Sequence, residues 1–220
     1  MMSQKQKCLD RLISSGIVVV VRTSSPDTAR RAVEAVLAGG VTAVEVTFTV
    51  PDAAEVIRDL AGSLGDTVVL GAGTVTDTDL AARAIDAGAT FLVAPNTDPD
   101  TIALANRCEV VAIPGALTPT EVVTAVKAGA PAVKIFPATA VGPGYIAALR
   151  GPLPNVVYCP TGGIDLGNIK AYIEAGAQML GVGGCLVDTR LIADDRYDEI
   201  TERAKKFVEA VRIAREETQR

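Results

Sequence analysis

Lys127-Ala128-Gly129-Ala130-Pro131-Ala132-Val133-Lys134 closes one amphipathic stretch on Ala-Gly and opens an apolar run at once. The phrase returns as Ala38-Gly39-Gly40-Val41-Thr42-Ala43-Val44-Glu45, as Asp86-Ala87-Gly88-Ala89-Thr90-Phe91-Leu92-Val93 and as Glu174-Ala175-Gly176-Ala177-Gln178-Met179-Leu180-Gly181. Each copy reads as a helix end, a glycine cap and a strand start, and such self-similarity suits a fold made of repeated βα units. Working outward, apolar runs predict strands over Ile17–Arg22, Ala43–Thr47, Val68–Ala72, Phe91–Ala94, Val110–Ile113, Ala132–Phe136, Val156–Pro160 and Met179–Val182. Start signals place helices at Asp27–Ala38, Asp52–Leu60, Asp77–Ala87 and Pro119–Ala128, with Gly39, Gly88, Gly129 and Gly176 as C-caps. Further helices are expected near Gln4–Ser15 and Thr201–Glu217.

Alternating βα units imply parallel strands covered on both faces, which explains why the runs are almost unbroken in apolar residues. An open doubly wound sheet and a closed barrel both satisfy that pattern. The count of about eight units favours the α/β (β/α)8 TIM barrel, here compact and carrying an extra N-terminal helix. One domain over residues 1–220 is expected, because the composition does not divide the chain into unlike halves.

Hydrophobic residues make up 49% of the chain and charged residues 21%, while aromatics are 4% with no Trp, so the core should be aliphatic. A net charge of -5 without a concentrated basic surface argues against a nucleic-acid partner. Cys8, Cys108, Cys159 and Cys185 lack disulfide or metal spacing and fit reduced thiols in a cytoplasmic protein. The run Ile17 to Val21 is too short to span a bilayer, so no membrane association is expected. The chain has no histidine, which removes imidazole-dependent triads and most catalytic zinc sites; no metal or organic cofactor is expected.

Barrel enzymes work at the C-terminal ends of their strands. Lys134 lies between Val133 and Ile135, and Glu45 between Val44 and Val46, so alternation turns each charged side chain away from its aliphatic neighbours and into the barrel. An amine in such a poorly hydrated interior can attack a carbonyl, and a nearby glutamate can move protons. The competing reading is a buried ion pair that does no chemistry. Thr161-Gly162-Gly163-Ile164 and Gly181-Val182-Gly183-Gly184-Cys185 follow the last two runs, where barrels commonly hold phosphate on backbone N–H groups. The competing reading there is plain tight turns. Arg22 and Thr74 end or follow strands and can reach an anionic substrate at the mouth. Cys159 and Cys185 read as small buried fillers.

Five separated runs, Val44 to Pro51 (V-E-V-T-F-T-V-P), Gly71 to Val75 (G-A-G-T-V), Ala94 to Asn96 (A-P-N), Val133 to Pro137 (V-K-I-F-P) and Pro160 to Ile164 (P-T-G-G-I), resemble the 2-keto-3-deoxy-6-phosphogluconate aldolases, the KDPG/KHG aldolase family. The resemblance extends from about Ile17 to Val187. It implies a class I aldolase on a (β/α)8 barrel, assembled as a homotrimer and acting on a small, phosphorylated 2-oxo acid. Position by position, it implies a Schiff-base role for Lys134, general acid/base work for Glu45 and carboxylate binding by Thr74 with Arg22. It further implies a pyruvyl pocket walled by Pro95 and Phe136, and a phosphate end made by Thr161, Gly162, Gly163, Gly183 and Gly184. Thr49 stands where many members carry a substrate-binding arginine, and Cys185 where some carry serine.

Overall fold

A computed structural model describes residues 2–218. Among them the strands are β1 (Ile17–Val21), β2 (Ala43–Thr47), β3 (Val69–Gly73), β4 (Phe91–Val93), β5 (Val111–Ile113), β6 (Gly115–Ala116), β7 (Val133–Ile135), β8 (Tyr158–Pro160) and β9 (Leu180–Val182). All of their pairings are parallel, in a six-stranded sheet ordered β5-β4-β3-β2-β1-β9 and a three-stranded sheet ordered β6-β7-β8. The helices are α1 (Gln4–Ser15), α2 (Pro26–Ala38), α3 (Ala53–Leu64), α4 (Thr78–Asp86), α5 (Pro99–Arg107), α6 (Pro119–Lys127), α7 (Pro143–Arg150), α8 (Ile169–Glu174), α9 (Thr189–Ala193) and α10 (Tyr197–Thr218). This is an α/β fold whose parallel sheet curls as a half-barrel.

The fifth strand, expected over Val110–Ile113, forms as β5, and beyond Pro114, which has no N–H to give a ladder, the chain adds the short strand β6 that was not expected. The Pro114 carbonyl still accepts from the Lys134 N–H at 2.8 Å, so β6 pairs with β7 while β5 pairs with β4. A single bridge between Thr161 and Gly181 links the strand pair β8 and β9 across the two sheets.

The helix ends share one device. Gly88, Gly129 and Gly176 take positive φ values of 97°, 92° and 98° just after their helices, where glycine escapes the Cβ clash. At the end of α2 that role falls to Gly40, at φ 90°, rather than to Gly39, at φ -83°. Gly39 is needed for another reason: a Cβ there would sit 2.6 Å from the Thr201 carbonyl of α10, so its bareness lets the two helices meet. The C-terminal helix also begins at Tyr197, earlier than expected, where the Arg31 guanidinium stacks 4.0 Å from the tyrosine ring.

Side chains alternate along the strands into two apolar layers. Val19, Val44, Leu70, Leu92, Val133 and Ile135 face the surrounding helices. Val18, Ala43, Val69, Phe91, Val111, Ala132, Cys159 and Met179 face inward, and Leu9 and Leu12 of α1 pack beneath them. The N-terminal helix thus closes the strand starts, leaving the strand ends as the open side. Arg215 of α10 fixes that closure, donating to the carbonyls of Ile13, Ser14 and Gln178 at 2.5, 2.8 and 2.8 Å.

Candidate active site

Glu45 and Lys134 rise one layer above the inward apolar residues, and room for them comes from missing side chains. Glu45 stands beside Gly71 in the β2–β3 register, and Lys134 stands beside Gly115 and Cys159. A Cβ on Gly71 would meet the Phe91 ring, and one on Gly73 would lie 2.9 Å from Glu45 Cδ. Both charged residues are buried, at 2% exposed for Glu45 and 7% for Lys134.

Their polar ends open on a cavity of about 490 Å³ whose walls include all eleven residues singled out from the sequence: Arg22, Glu45, Thr74, Pro95, Lys134, Phe136, Thr161, Gly162, Gly163, Gly183 and Gly184. Among the described residues Glu45 and Lys134 form no contact ion pair with each other, so a closed buried salt bridge is not what holds them. Lys134 Nζ sits 4.5 Å from the centroid of the Phe136 ring. Burial pushes the Glu45 carboxyl up to about 7, against the opposing pull of the Lys134 and Arg22 charges. A group poised there exchanges protons readily at neutral pH.

Arg22 follows β1 at the mouth, exposed and without a hydrogen-bond partner among the described residues. Thr74 follows β3 with φ 58°, a left-handed conformation costly for a β-branched residue. Backbone strain of this kind concentrates at functional sites, and here it lies on the cavity wall. Thr161 donates its hydroxyl to the Cys159 carbonyl at 3.2 Å and packs where Gly181 lacks a side chain. Gly162 and Gly163 both take positive φ, 96° and 74°. The Gly162 N–H lies in the Thr161–Gly181 bridge, whereas those of Gly163, Gly183 and Gly184 donate in no described turn, loop or cap bond, which leaves three donors at one end of the cavity.

Thr49 is exposed and does not border the cavity; its hydroxyl pairs with that of Thr47 at 2.7 Å. Cys159 is buried as expected, and burial pushes its thiol up to about 12. Cys185 is not the buried filler that was expected: it is exposed on the cavity rim. The turn places it there, because the N–H groups of Leu186 and Val187 fold back to the Gly183 carbonyl and send those two side chains inward instead. The sequence reading did not single out Val20, Ile164 and Val187, which complete the apolar wall, or Thr189 at the rim. Among the described residues no His, Cys, Asp and Glu side chains group as metal ligands, and no helix is long and apolar enough to cross a membrane.

The family profile described as KDPG and KHG aldolase matches residues 9–203. A 2-dehydro-3-deoxy-6-phosphogalactonate aldolase of Escherichia coli (strain K12) is 33% identical over 90% of this chain and 95% of its own length. A 2-dehydro-3-deoxy-phosphogluconate aldolase of Treponema pallidum (strain Nichols) is 34% identical over 90% of this chain and 94% of its own. Among solved structures, KDPG aldolase from Legionella pneumophila, with pyruvate captured as a covalent carbinolamine intermediate, superimposes with a TM-score of 0.80 at 28% identity, covering 88% of this chain and 95% of that one. This chain belongs to the KDPG and KHG aldolase family, whose members are lyases.

Proposed function

We propose that this chain is a class I aldolase that cleaves 2-keto-3-deoxy-6-phosphogluconate to pyruvate and glyceraldehyde 3-phosphate through a Schiff base on Lys134. The observation that carries the reading is a buried lysine without a contact ion partner, sharing one cavity with a glutamate whose carboxyl titrates near neutrality. Lys134 attacks the C2 ketone and, with loss of water, gives an iminium that serves as an electron sink. Glu45 accepts the C4 hydroxyl proton, the C3–C4 bond breaks, and its electrons pass into an enamine as the aldehyde leaves. Protonation of the enamine and hydrolysis then release pyruvate and free Lys134. Thr74 and Arg22 receive the carboxylate, Pro95 and Phe136 wall the pyruvyl unit, and Thr161 with the glycine N–H groups receives the phosphate.

We read the two sheets as one eight-stranded (β/α)8 barrel. The reading is supported by the continuity of β5 and β6 through Pro114 and by the Thr161–Gly181 bridge. The family also carries the expectation of a homotrimer and a cytoplasmic enzyme. Within the family, 4-hydroxy-2-oxoglutarate and 2-keto-3-deoxy-6-phosphogalactonate are the competing substrates, and comparing kcat/KM on the three decides among them. The mechanism itself is tested by borohydride trapping with pyruvate followed by peptide mass mapping. One adduct is expected at Lys134 and none in Lys134→Ala; an adduct on another residue rejects the assignment.

A further inference from the structure

The turn that carries Gly183 and Gly184 is held from outside the cavity. Arg203, on the long C-terminal helix α10, points one guanidinium nitrogen at two acceptors of this segment: the Cys185 carbonyl at 3.2 Å and the Asp188 carboxylate at 3.4 Å. Asp188 is 9% exposed and caps α9, accepting from the Arg190 N–H at 2.9 Å and from its guanidinium at 2.9 and 3.2 Å. The helix behind Arg203 is anchored by buried Ile200, Ala204 and Phe207, and by the Thr201 hydroxyl on the Ala35 carbonyl at 2.9 Å. Gly184 has open space around it: a Cβ there would touch nothing within 4 Å. With no side chain to pack, its N–H keeps its direction only if the flanking residues are fixed. Leu186 and Val187 fix the inner side and Arg203 fixes the outer side.

From this geometry we infer that Arg203 is a positioning residue for substrate recognition, clamping Cys185 and Asp188 so that the Gly183 and Gly184 N–H groups stay aimed at the anionic far end of the substrate. The inference rests on the phosphate reading proposed above. Arg203 touches no substrate, so its loss should act on binding of the phosphorylated end and leave Lys134 and Glu45 in place.

The test is steady-state kinetics of wild type, Arg203→Ala and Arg203→Lys. One substrate is whichever of the phosphogluconate and phosphogalactonate compounds the wild type turns over faster; the other is unphosphorylated 4-hydroxy-2-oxoglutarate. A charge-assisted hydrogen bond supports about a tenfold effect. In Arg203→Ala, KM for the phosphorylated compound should rise about tenfold while its kcat, and both constants for 4-hydroxy-2-oxoglutarate, stay within about twofold. Added guanidinium should recover part of the lost KM, and Arg203→Lys should fall between wild type and Arg203→Ala, since an ammonium keeps the charge without the planar fork. An equal loss on both substrates, or no loss, overturns the role of Arg203; should Arg203→Ala fail to fold, the lysine variant carries the same comparison. If the wild type itself handles neither phosphorylated compound better than 4-hydroxy-2-oxoglutarate, the phosphate reading has failed instead.

Discussion

The Glu45 carboxyl rests on Gly73, so closely that a methyl group on that glycine would lie 2.9 Å from Glu45 Cδ. Gly73→Ala should therefore displace the carboxyl while leaving strand β3 in place. Misplacing a reacting group by about 1 Å can cost about 10²-fold in rate, and a fall of that order in kcat is expected with an unchanged circular dichroism spectrum. An unaltered kcat would mean that the chemistry does not depend on where Glu45 sits.

Glu45 also predicts two opposite responses to pH. As a base it works when ionised, so activity should rise through about pH 7, and Glu45→Gln should lose about 10²–10⁴-fold on phosphorylated and unphosphorylated substrates alike. Stability runs the other way. The folded carboxyl titrates near 7 and the unfolded one near 4.5, so below 4.5 both states hold the proton. Between those values only the unfolded chain releases it, and stability falls by a few kcal/mol before levelling above 7. Glu45→Gln abolishes that slope, so its melting temperature should gain on wild type as pH rises from 5 to 8. A constant gap would show that Glu45 titrates normally.

Gly163 holds φ 74°, and a side chain there would run into Thr139. Gly163→Leu should obstruct the end of the cavity with the free N–H groups, reducing turnover of a phosphorylated substrate far more than that of 4-hydroxy-2-oxoglutarate. Borohydride should still trap pyruvate on Lys134. Equal losses on both substrates, with the fold intact, would reduce these glycines to turn formers.

Tyr197 buries its hydroxyl oxygen without a hydrogen-bond partner among the described residues, while its ring stacks under Arg31. Removing an unsatisfied buried polar atom costs nothing and relieves a desolvation penalty of about 1–3 kcal/mol. Tyr197→Phe should thus match or exceed wild-type stability in urea denaturation; a clear drop in the midpoint would reveal a partner for the hydroxyl.

Two residues of the cavity wall, Lys134 and Glu45, were legible because strand alternation is a strict period of two, whereas the glycine loops were marked by their place after the last two strands and Pro95 and Phe136 only by the family resemblance. Lys134 between Val133 and Ile135, and Glu45 between Val44 and Val46, had to face inward once their neighbours faced the helices. The helix ends were less so. Glycine marks Gly88, Gly129 and Gly176, but α5 and α9 turn left-handed on Glu109 at φ 58° and Asp195 at φ 57°, where residue type carries no such signal. At the double glycine after α2, Gly39 is the C-cap that the sequence indicates, and the left-handed turn falls one residue later, on Gly40, a division that residue type does not mark. The strain at Thr74 and the exposure of Cys185 are set by backbone geometry that periodicity does not encode. Arg203 was invisible for a plainer reason: its partners lie 15 and 18 residues away in sequence, beyond the reach of helix or strand periodicity.

The helix that seals the strand starts turns the cavity into a vessel with a single doorway. Leu9 and Leu12 pack under the inward apolar layer beneath the cavity, so among the described residues the way in and out lies past the glycine turns at the rim. Under the proposed chemistry the fragment bonded to Lys134 lies deepest and the aldehyde lies above it in the exit. Traffic must then queue: the aldehyde leaves before pyruvate can, and in the reverse direction pyruvate has to be seated before the aldehyde enters. A strict order of arrival and release follows when that chemistry is set in this architecture.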